Sequence, residues 1–290
     1  MSILVDKNTR LIVQGMTGKE GTFHSKIMID YGTNIVAGVT PGKQGQEVHG
    51  VPIFNSVSDA LKKTNANASI TFTPEKFTKA ALLEAIDAGL KLVVTVADGV
   101  AFHDMLICRD YAKKHQCVLI GPNTSGLISP GKCKVGFMPH ALYKEGSVGV
   151  MSRSGTLSYE TANNLTRAGV GQSTVIGVGG DQIPGATFVD LLPFYEEDPD
   201  TKVIVIIGEI GGNDEEEAVR YAKKYMTKPV VAFIAGSAAP VGKTMGHAGA
   251  IISESGAGNA QDKQRILKEL GTLVAEKITD IPDLVKQVIR

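Results

Sequence analysis

The chain has 290 residues, 43% of them hydrophobic, and its 30 basic residues balance its 30 acidic residues to a formal net charge of +0 at pH 7. This length predicts two domains of roughly 140 residues, and the apolar content is enough for two cores. A neutral chain argues against nucleic acid or an anionic membrane as its main partner. Because the sequence lacks an apolar run of roughly 18 residues and has a charge at Asp6, we expect no membrane span and no targeting segment.

The cysteines Cys108, Cys117 and Cys133 form neither a C-x-x-C pair nor a metal-binding spacing. This predicts no metal site and no disulfide framework. It favours a reducing compartment, namely the cytoplasm, or the mitochondrial matrix for a processed eukaryotic chain. We expect each cysteine to be a small buried apolar residue.

Short apolar runs alternate with segments of helical spacing along the first half of the chain. The predicted strands are 11–14, 35–39, 68–72, 92–96 and 118–120, and helices are predicted at 79–88 and 104–115. This alternation is typical of βαβ units with a parallel sheet. A polar break at 142–147 predicts a boundary between a domain 1–145 and a domain 146–290.

The second half repeats the alternation and is also predicted to be α/β. Its predicted strands are 148–151, 173–178, 203–208 and 230–235, and its predicted helices are 157–167, 214–225 and 262–269. The strand 203–207 is apolar throughout, as expected for a strand covered on both faces.

Gly15, Gly18 and Gly21 follow the first predicted strand and precede a predicted helix. In a Rossmann-type domain the helix N-terminus receives a phosphorylated ligand at this place. The spacing G-x-x-G-x-x-G differs from the dinucleotide pattern, and a tight turn without a ligand is the alternative. After the second strand, Lys43 stands where an NAD enzyme has an acidic residue. A lysine suits the extra phosphate of NADP or of the 3′-phosphoadenosine part of coenzyme A (CoA).

The segment 236–244 is similar to a P-loop, the loop that holds nucleotide phosphates in many ATPases. It has five residues between Gly236 and Gly242-Lys243, and one of them is proline. A P-loop has four residues there, so we predict no ATP site in this segment.

Ser154 and Gly155 open a predicted helix directly after a predicted strand. Hydroxyls with glycine at a helix N-terminus form an anion site, although an ordinary N-cap uses the same residues. At another strand end, Asn123, Thr124 and Ser125 leave a similar choice open, between ligand contact and turn chemistry.

His247 stands between glycines in Met-Gly-His-Ala-Gly-Ala, where small neighbours let a phosphate or substrate approach closely. Imidazole acts as a base or nucleophile near pH 7. Glu209 ends an apolar strand, where an unpaired carboxylate is costly. We predict that Glu209 pairs with His247, orients its ring and favours its charged form. Surface or core roles are expected for the other histidines, namely His24, His49, His103, His115 and His140.

Together these segments resemble the α-subunit family of succinyl-CoA synthetase, also called succinate–CoA ligase, in the same order over essentially the whole chain. The motifs that carry the resemblance lie at 14–24, 38–43, 150–157, 207–212 and 245–250. The resemblance implies an N-terminal Rossmann-type CoA-binding domain followed by a flavodoxin-like α/β domain. It implies a ligase that converts succinate, CoA and a nucleoside triphosphate to succinyl-CoA, nucleoside diphosphate and phosphate.

The resemblance also implies roles for single residues. His247 would carry the phosphoryl group, Glu209 would orient it, and Ser154 and Gly155 would cradle the phosphate. Tyr159 would lie near the substrate site, close to the loop of Asn123, Thr124 and Ser125. The residues implied in CoA contact are Thr17, Gly18, Lys19, Glu20, Lys43, Val96, Ala97 and Asp98.

A partner is part of what the resemblance implies. A β subunit with an ATP-grasp domain would hold Mg and ATP or GTP, in an αβ or (αβ)2 assembly. The rejection of segment 236–244 as a P-loop agrees with a nucleotide site on the other subunit. The sequence of this chain decides neither the nucleotide nor the assembly.

The loop Thr124-Ser125 departs from the family pattern, which has Cys-Pro there, and a threonine at this place is similar to ATP-citrate lyase and citryl-CoA synthetase. Ala97-Asp98-Gly99 and Gln44 are further departures. A citrate– or malate–CoA ligase is therefore the alternative within the class. A CoA- or NADP-binding regulatory module without chemistry is the alternative of another class, although it has no need of His247 and Glu209.

Overall fold

The computed structural model describes residues 2–254 and 256–289, and these residues form two sheets. The strands of the first sheet are β1 (Arg10–Gln14), β2 (Asn34–Val39), β3 (Glu47–Val48), β4 (Val51–Phe54), β5 (Ala68–Thr71), β6 (Leu92–Thr95) and β7 (Val118–Ile120). The helices between them are α1 (Lys19–Tyr31), α2 (Val57–Lys63), α3 (Glu75–Asp87) and α4 (Phe102–Lys114). The strand order is β3-β4-β2-β1-β5-β6-β7, with only β3 antiparallel among the described strands of this sheet. The six parallel strands thus follow the Rossmann order 3-2-1-4-5-6.

The second sheet continues the strand numbering. Its strands are β8 (Gly126–Ser129), β9 (Cys133–Gly136), β10 (Glu145–Ser152), β11 (Gln172–Gly177), β12 (Val203–Glu209), β13 (Val230–Ala235) and β14 (Leu273–Ala275). Its helices are α5 (Gly155–Arg167), α6 (Phe188–Glu197), α7 (Asp214–Tyr225), α8 (Ala260–Glu269) and α9 (Ile281–Val288). The order β14-β13-β12-β10-β11-β8-β9 contains five parallel strands in the flavodoxin-like order 2-1-3-4-5. The predicted fold class is confirmed for both halves.

Every strand predicted from the apolar runs is present, and the helices predicted at 79–88, 104–115, 157–167, 214–225 and 262–269 correspond to α3, α4, α5, α7 and α8. The sequence reasoning missed the hairpin of β8 and β9. This hairpin pairs antiparallel with β11, so residues 126–136 belong to the second sheet although they precede residue 145. Hydrogen bonding therefore changes sheets between β7 and β8, ahead of the predicted boundary, and the division at 145 and 146 stays a prediction.

Buried contacts join elements of the two sheets. The hydroxyl of Thr33, which follows α1, donates to the carbonyl of Lys134 on β9 (2.7 Å) and accepts from its N–H (3.1 Å). The N–H of Gly136 donates to the Met28 sulfur on α1 (3.3 Å). One cluster of buried side chains contains residues of both sheets. In the part of the chain that the structure describes, no helix has the length and apolar character needed to cross a membrane.

The strand order creates one crevice in each sheet, at the point where the order of successive strands reverses. In the first sheet this point lies between β1 and β5, and in the second it lies between β10 and β12. Open α/β sheets bind ligands in such crevices, outside the carboxyl ends of the strands. Gly15 and Glu209 stand at these two places.

Tyr195 on α6 belongs to the buried cluster that contains residues of both sheets, and it allows a test of core stability. Its ring is fully buried, and its hydroxyl lies 3.0 Å from the carbonyl oxygen of Val150 and 3.3 Å from that of Thr174. Since Tyr195→Phe removes this buried donor, we expect it to lower the free energy of unfolding by about 1–2 kcal/mol, measured by urea denaturation. Tyr225→Phe, at a position that is 59% exposed, is the control and should leave stability unchanged.

Candidate active site

Glu209 and His247 are in direct contact. Glu209 ends β12, and its Oε2 lies 2.6 Å from Nδ1 of His247. Both side chains are mostly buried, with 11% and 21% of their surfaces exposed. The loop of His247 is a tight turn, in which the N–H of Ala250 donates to the His247 carbonyl (3.1 Å). The predicted contact between Glu209 and His247 is therefore present, and His247 makes it from a tight turn.

The His247 ring lies against the backbone of Gly180. A Cβ at Gly180 would lie 2.4 Å from the ring, so only a residue without a side chain permits this approach. A second close approach joins the loops after β12 and β13, since a Cβ at Gly211 would lie 2.2 Å from the Gly249 carbonyl oxygen. Small residues thus fix the ring position through backbone contact.

Electrostatics favour the charged form of His247. The hydrogen bond with Glu209 raises the pKa of His247 above its usual value, and burial opposes this shift. Arg153 lowers the pKa and Asp181 raises it, both to a smaller extent. Because Nδ1 is committed to the carboxylate, Nε2 is the nitrogen available for chemistry.

Arg153 follows β10 and faces Glu209 from the other side. Its Nε lies 3.7 Å from Oε1 of Glu209, its Nη1 donates to Asp214 (2.9 Å) and its Nη2 donates to the carbonyl of Asp181 (2.8 Å). A cavity of about 270 Å³ is lined by Arg153, Glu209 and Gly249, among others. The sequence reasoning did not identify Arg153, although its place next to Ser154 at a strand end was the available signal.

Ser154 is the N-cap of α5, and its Oγ accepts from the N–H of Leu157 (3.3 Å). The hydroxyl is thus used as a cap, while the helix start keeps its favourable dipole for an anion. A Cβ at Gly155 would lie 3.5 Å from Cβ of Ser125 and 3.6 Å from the hydroxyl of Tyr159. Gly155, Ser125 and Tyr159 are therefore neighbours. Burial raises the pKa of Tyr159.

The loop of Asn123, Thr124 and Ser125 is fastened to the second sheet. Nδ2 of Asn123 donates to Asp181 (3.1 Å), and the Thr124 hydroxyl donates to the carbonyl of Gly177 and accepts from the N–H of Gly126 (3.0 Å). Thr124 is thus engaged with backbone, whereas Ser125 lies beside Gly155. Thr124 therefore has the turn role, and ligand contact by Ser125 stays a prediction.

A second cavity, of about 720 Å³, lies at the ends of β1 and β5. Its lining includes Gly15, Thr17, Gly18, Thr40 and Phe77. Gly15 has φ +78°, and a Cβ there would lie 2.6 Å from the Phe72 carbonyl oxygen. The glycine motif therefore forms the tight turn and also borders a cavity of ligand size.

The other residues predicted for CoA contact occupy two places. Lys19 and Glu20 begin α1, and Lys43 is exposed in the turn after β2, near the 720 Å³ cavity that Thr40 lines. Val96, Ala97 and Asp98 follow β6, where the carbonyl of Ala97 accepts from the N–H of Asn123 (2.8 Å).

A third cavity connects the first half with the histidine loop. It has about 230 Å³ and is lined by Asp98, Asn123, Asp181, Gly246 and Ala248, among others. The loop after β6 therefore borders the turn that carries His247. A ligand that filled this cavity would touch both halves of the chain.

Comparison with known proteins agrees with this arrangement. Residues 6–99 match the model of the CoA binding domain, and residues 151–276 match the model of the CoA-ligase family. Among solved structures, ATP citrate lyase from Methanothrix soehngenii in complex with citrate and coenzyme A has a TM-score of 0.89 and 26% identity. That likeness covers 99% of this chain and 50% of the solved chain, so this chain spans half the length of that protein.

The curated relatives extend over the full length. Succinate–CoA ligase (ADP-forming) subunit alpha 1 of Archaeoglobus fulgidus is 52% identical over 289 residues, covering 100% of this chain and 99% of the relative. The subunit alpha of the same enzyme from Aquifex aeolicus is 49% identical and covers 100% of this chain and 95% of the relative. Both matches cover 100% of this chain and therefore include both sheets. The chain therefore belongs to the family of succinate–CoA ligase α subunits.

Proposed function

We propose that His247 carries a phosphoryl group from a nucleoside triphosphate to succinate in the synthesis of succinyl-CoA. The observation that carries this proposal is the 2.6 Å contact of Nδ1 with Glu209, which commits one ring nitrogen and leaves Nε2 as the nucleophile. Nε2 attacks the γ-phosphorus, the bond to the leaving oxygen breaks, and nucleoside diphosphate departs. A succinate carboxylate oxygen then takes the phosphoryl group and frees the imidazole.

CoA completes the reaction. Its thiolate attacks the acyl phosphate carbonyl, a thioester bond forms, and inorganic phosphate leaves. The phosphorylated intermediate is needed because an unmodified carboxylate has a very poor leaving group, and two transfers replace one difficult step. The dipole of α5 at Ser154 and Gly155 stabilises the phosphate charge during transfer.

The cavities support the proposed location of the CoA site. Thr17 and Gly18 line the larger one, the N-terminus of α1 at Lys19 and Glu20 suits a pyrophosphate, and Lys43 suits a further phosphate. Val96, Ala97 and Asp98 lie towards the histidine loop, where the thiol end must arrive. Ser125 and Tyr159 lie beside Gly155, which supports a role for both in contact with the acid.

The partner is a β subunit with an ATP-grasp domain that binds Mg and the nucleotide, in an αβ or (αβ)2 assembly. The relatives are named as alpha subunits of an ADP-forming enzyme, which supports a second subunit and favours ATP over GTP. Segment 236–244, with five residues in place of four, supports nucleotide binding outside this chain. Three buried free cysteines suit a reducing compartment such as the cytoplasm.

Citrate is the second candidate acid. Thr124 departs from the family's Cys-Pro, and the solved relative at 26% identity binds citrate. The relatives near 50% identity are named for succinate, and they favour succinate as the acid. Rates of the complete enzyme with succinate and citrate decide between the two.

We expect His247 to be phosphorylated when the complete enzyme is incubated with ATP and magnesium. His247→Asn should abolish both the phosphohistidine and succinyl-CoA formation because it removes the nucleophile. CoA affinity should be nearly unchanged, since the larger cavity lies on the first sheet. Acid-labile, base-stable phosphate located by mass spectrometry is the measurement, and phosphate on another residue would contradict the proposal.

Glu209→Gln should change the pH dependence of this phosphorylation. Since Nε2 must lose its proton to attack and Glu209 raises the pKa of His247, the wild-type rate should rise with pH through that raised pKa. The variant lowers this pKa, so its midpoint should move to lower pH, with a plateau rate about 10- to 100-fold lower. Single-turnover labelling across pH tests this, and superimposable profiles would refute the role of Glu209.

Lys43→Ala should weaken CoA binding by about 1–3 kcal/mol through loss of a charge-assisted contact with phosphate. Titration calorimetry with CoA is the measurement, and histidine phosphorylation should persist. Lys63→Ala on α2, also an exposed lysine, is the matched control. Unchanged CoA affinity, or a preference for NADP over CoA, would argue against this site.

A further inference from the structure

A buried ion pair contacts the backbone of Glu209, whereas His247 contacts its side chain. Lys263 on α8 and Glu215 on α7 have side chains that are 1% and 3% exposed, and their charged atoms are 2.6 Å apart. Glu216 lies 3.9 Å from the same lysine. Buried ion pairs are generally no more stabilising than apolar side chains of the same volume. A contribution to stability therefore does not explain why an ion pair is buried at this place.

The pair holds the backbone of Glu209 at both of its polar groups. Nζ of Lys263 donates to the Glu209 carbonyl (2.9 Å) and to the Gly211 carbonyl (2.7 Å). Oε1 of Glu215 accepts from the Glu209 N–H (3.1 Å). One ion pair thus fixes both ends of this residue.

Gly208 makes room for this arrangement. A Cβ at Gly208 would lie 2.3 Å from Oε1 of Glu215, so any side chain there would displace the carboxylate. The strand end, the helix start of α7 and Lys263 on α8 therefore meet at one point. Fixing the Glu209 backbone also fixes the origin of its side chain, and the contact with Nδ1 is only 2.6 Å long.

We propose that Lys263 and Glu215 are positioning residues that set the Glu209 carboxylate against His247. This inference rests on the proposed role of His247. A displacement of about 1 Å in a catalytic group can cost about 100-fold in rate, so rigid support of Glu209 has a kinetic consequence. The charged groups that act on His247 itself are Glu209, Arg153 and Asp181, and the ion pair acts through the first of these.

The test uses two variants of the full chain, assembled with its partner subunit. Lys263→Met removes the cation, and Glu215→Gln keeps the shape of the side chain but loses its charge. We expect each to slow phosphorylation of His247 by ATP about 10- to 100-fold, with CoA affinity unchanged. Because Lys263→Met leaves Glu215 buried without its cation, thermal unfolding is measured for each variant. If Lys263→Met does not fold, the phosphorylation rate of Glu215→Gln decides whether the ion pair has a positioning role.

Two readouts separate positioning from general destabilisation. The titration midpoint of His247, followed by NMR of carbon-labelled histidine in the full chain, should fall in both variants as the Glu209 contact loosens. With six histidines in the chain, His247→Asn assigns the signal. In a Glu209→Gln background, Lys263→Met should cause no further loss of rate, because residues that act through one contact are not additive.

Arg265→Met is the matched control. Arg265 lies on the same helix, and its side chain is 59% exposed in surface ion pairs with Asp262 and Glu269. The Arg265→Met variant should leave the titration midpoint of His247 and the rate of its phosphorylation unchanged. A wild-type midpoint in both folded variants, or a rate loss that multiplies with that of Glu209→Gln, would overturn the positioning role. Absence of phosphohistidine in the wild-type enzyme would instead refute the proposed function, and the NMR midpoint would still test the ion pair.

Discussion

The carboxylate of Glu209 is the constraint around which the second half of the chain is organised. It stands at the end of a strand that is buried at every residue, where a charge is costly unless neighbours compensate it. His247 compensates one carboxylate oxygen, and Arg153 faces the other. Glu215 and Lys263 hold the backbone of the same residue. The polar groups that contact Glu209 thus come from four different segments of the chain.

The two crevices occupy equivalent places in the two sheets. Each lies where the strand order of its own sheet reverses, and such places suit ligands because neighbouring loops diverge there. The loop after β6 reaches from the first sheet to Asn123, which is bonded to Asp181 beside the histidine loop. The loop after β6 therefore adjoins the loop that carries His247. The hairpin of β8 and β9 fastens the second sheet to the first half through Thr33 and Met28.

Apolar patterning predicted nine of the eleven parallel strands that the structure describes, because strands covered on both faces are largely apolar. It missed β4 and β14. The hairpin escaped prediction because Lys134 interrupts the apolar pattern of β9, although this side chain is only 1% exposed. The contact of Glu209 with His247 was predictable because a carboxylate at an apolar strand end needs a partner. Arg153 had a usable signal in its place next to Ser154 at a strand end. Lys263 had none, because a lysine on a helix is ordinarily exposed, whereas this one is 1% exposed.

Two glycines permit close contacts in this site that the pattern of polar and apolar residues does not reveal. At Gly180 and Gly208 the missing side chain is replaced by a functional group, the imidazole in one case and the Glu215 carboxylate in the other. Both groups are thereby pressed against backbone, which moves less than side chains do. An imidazole confined in this way has one nitrogen bound to a carboxylate and one directed away from it. A histidine can therefore be held firmly and still react, because orientation and nucleophilic attack use different atoms of the same ring.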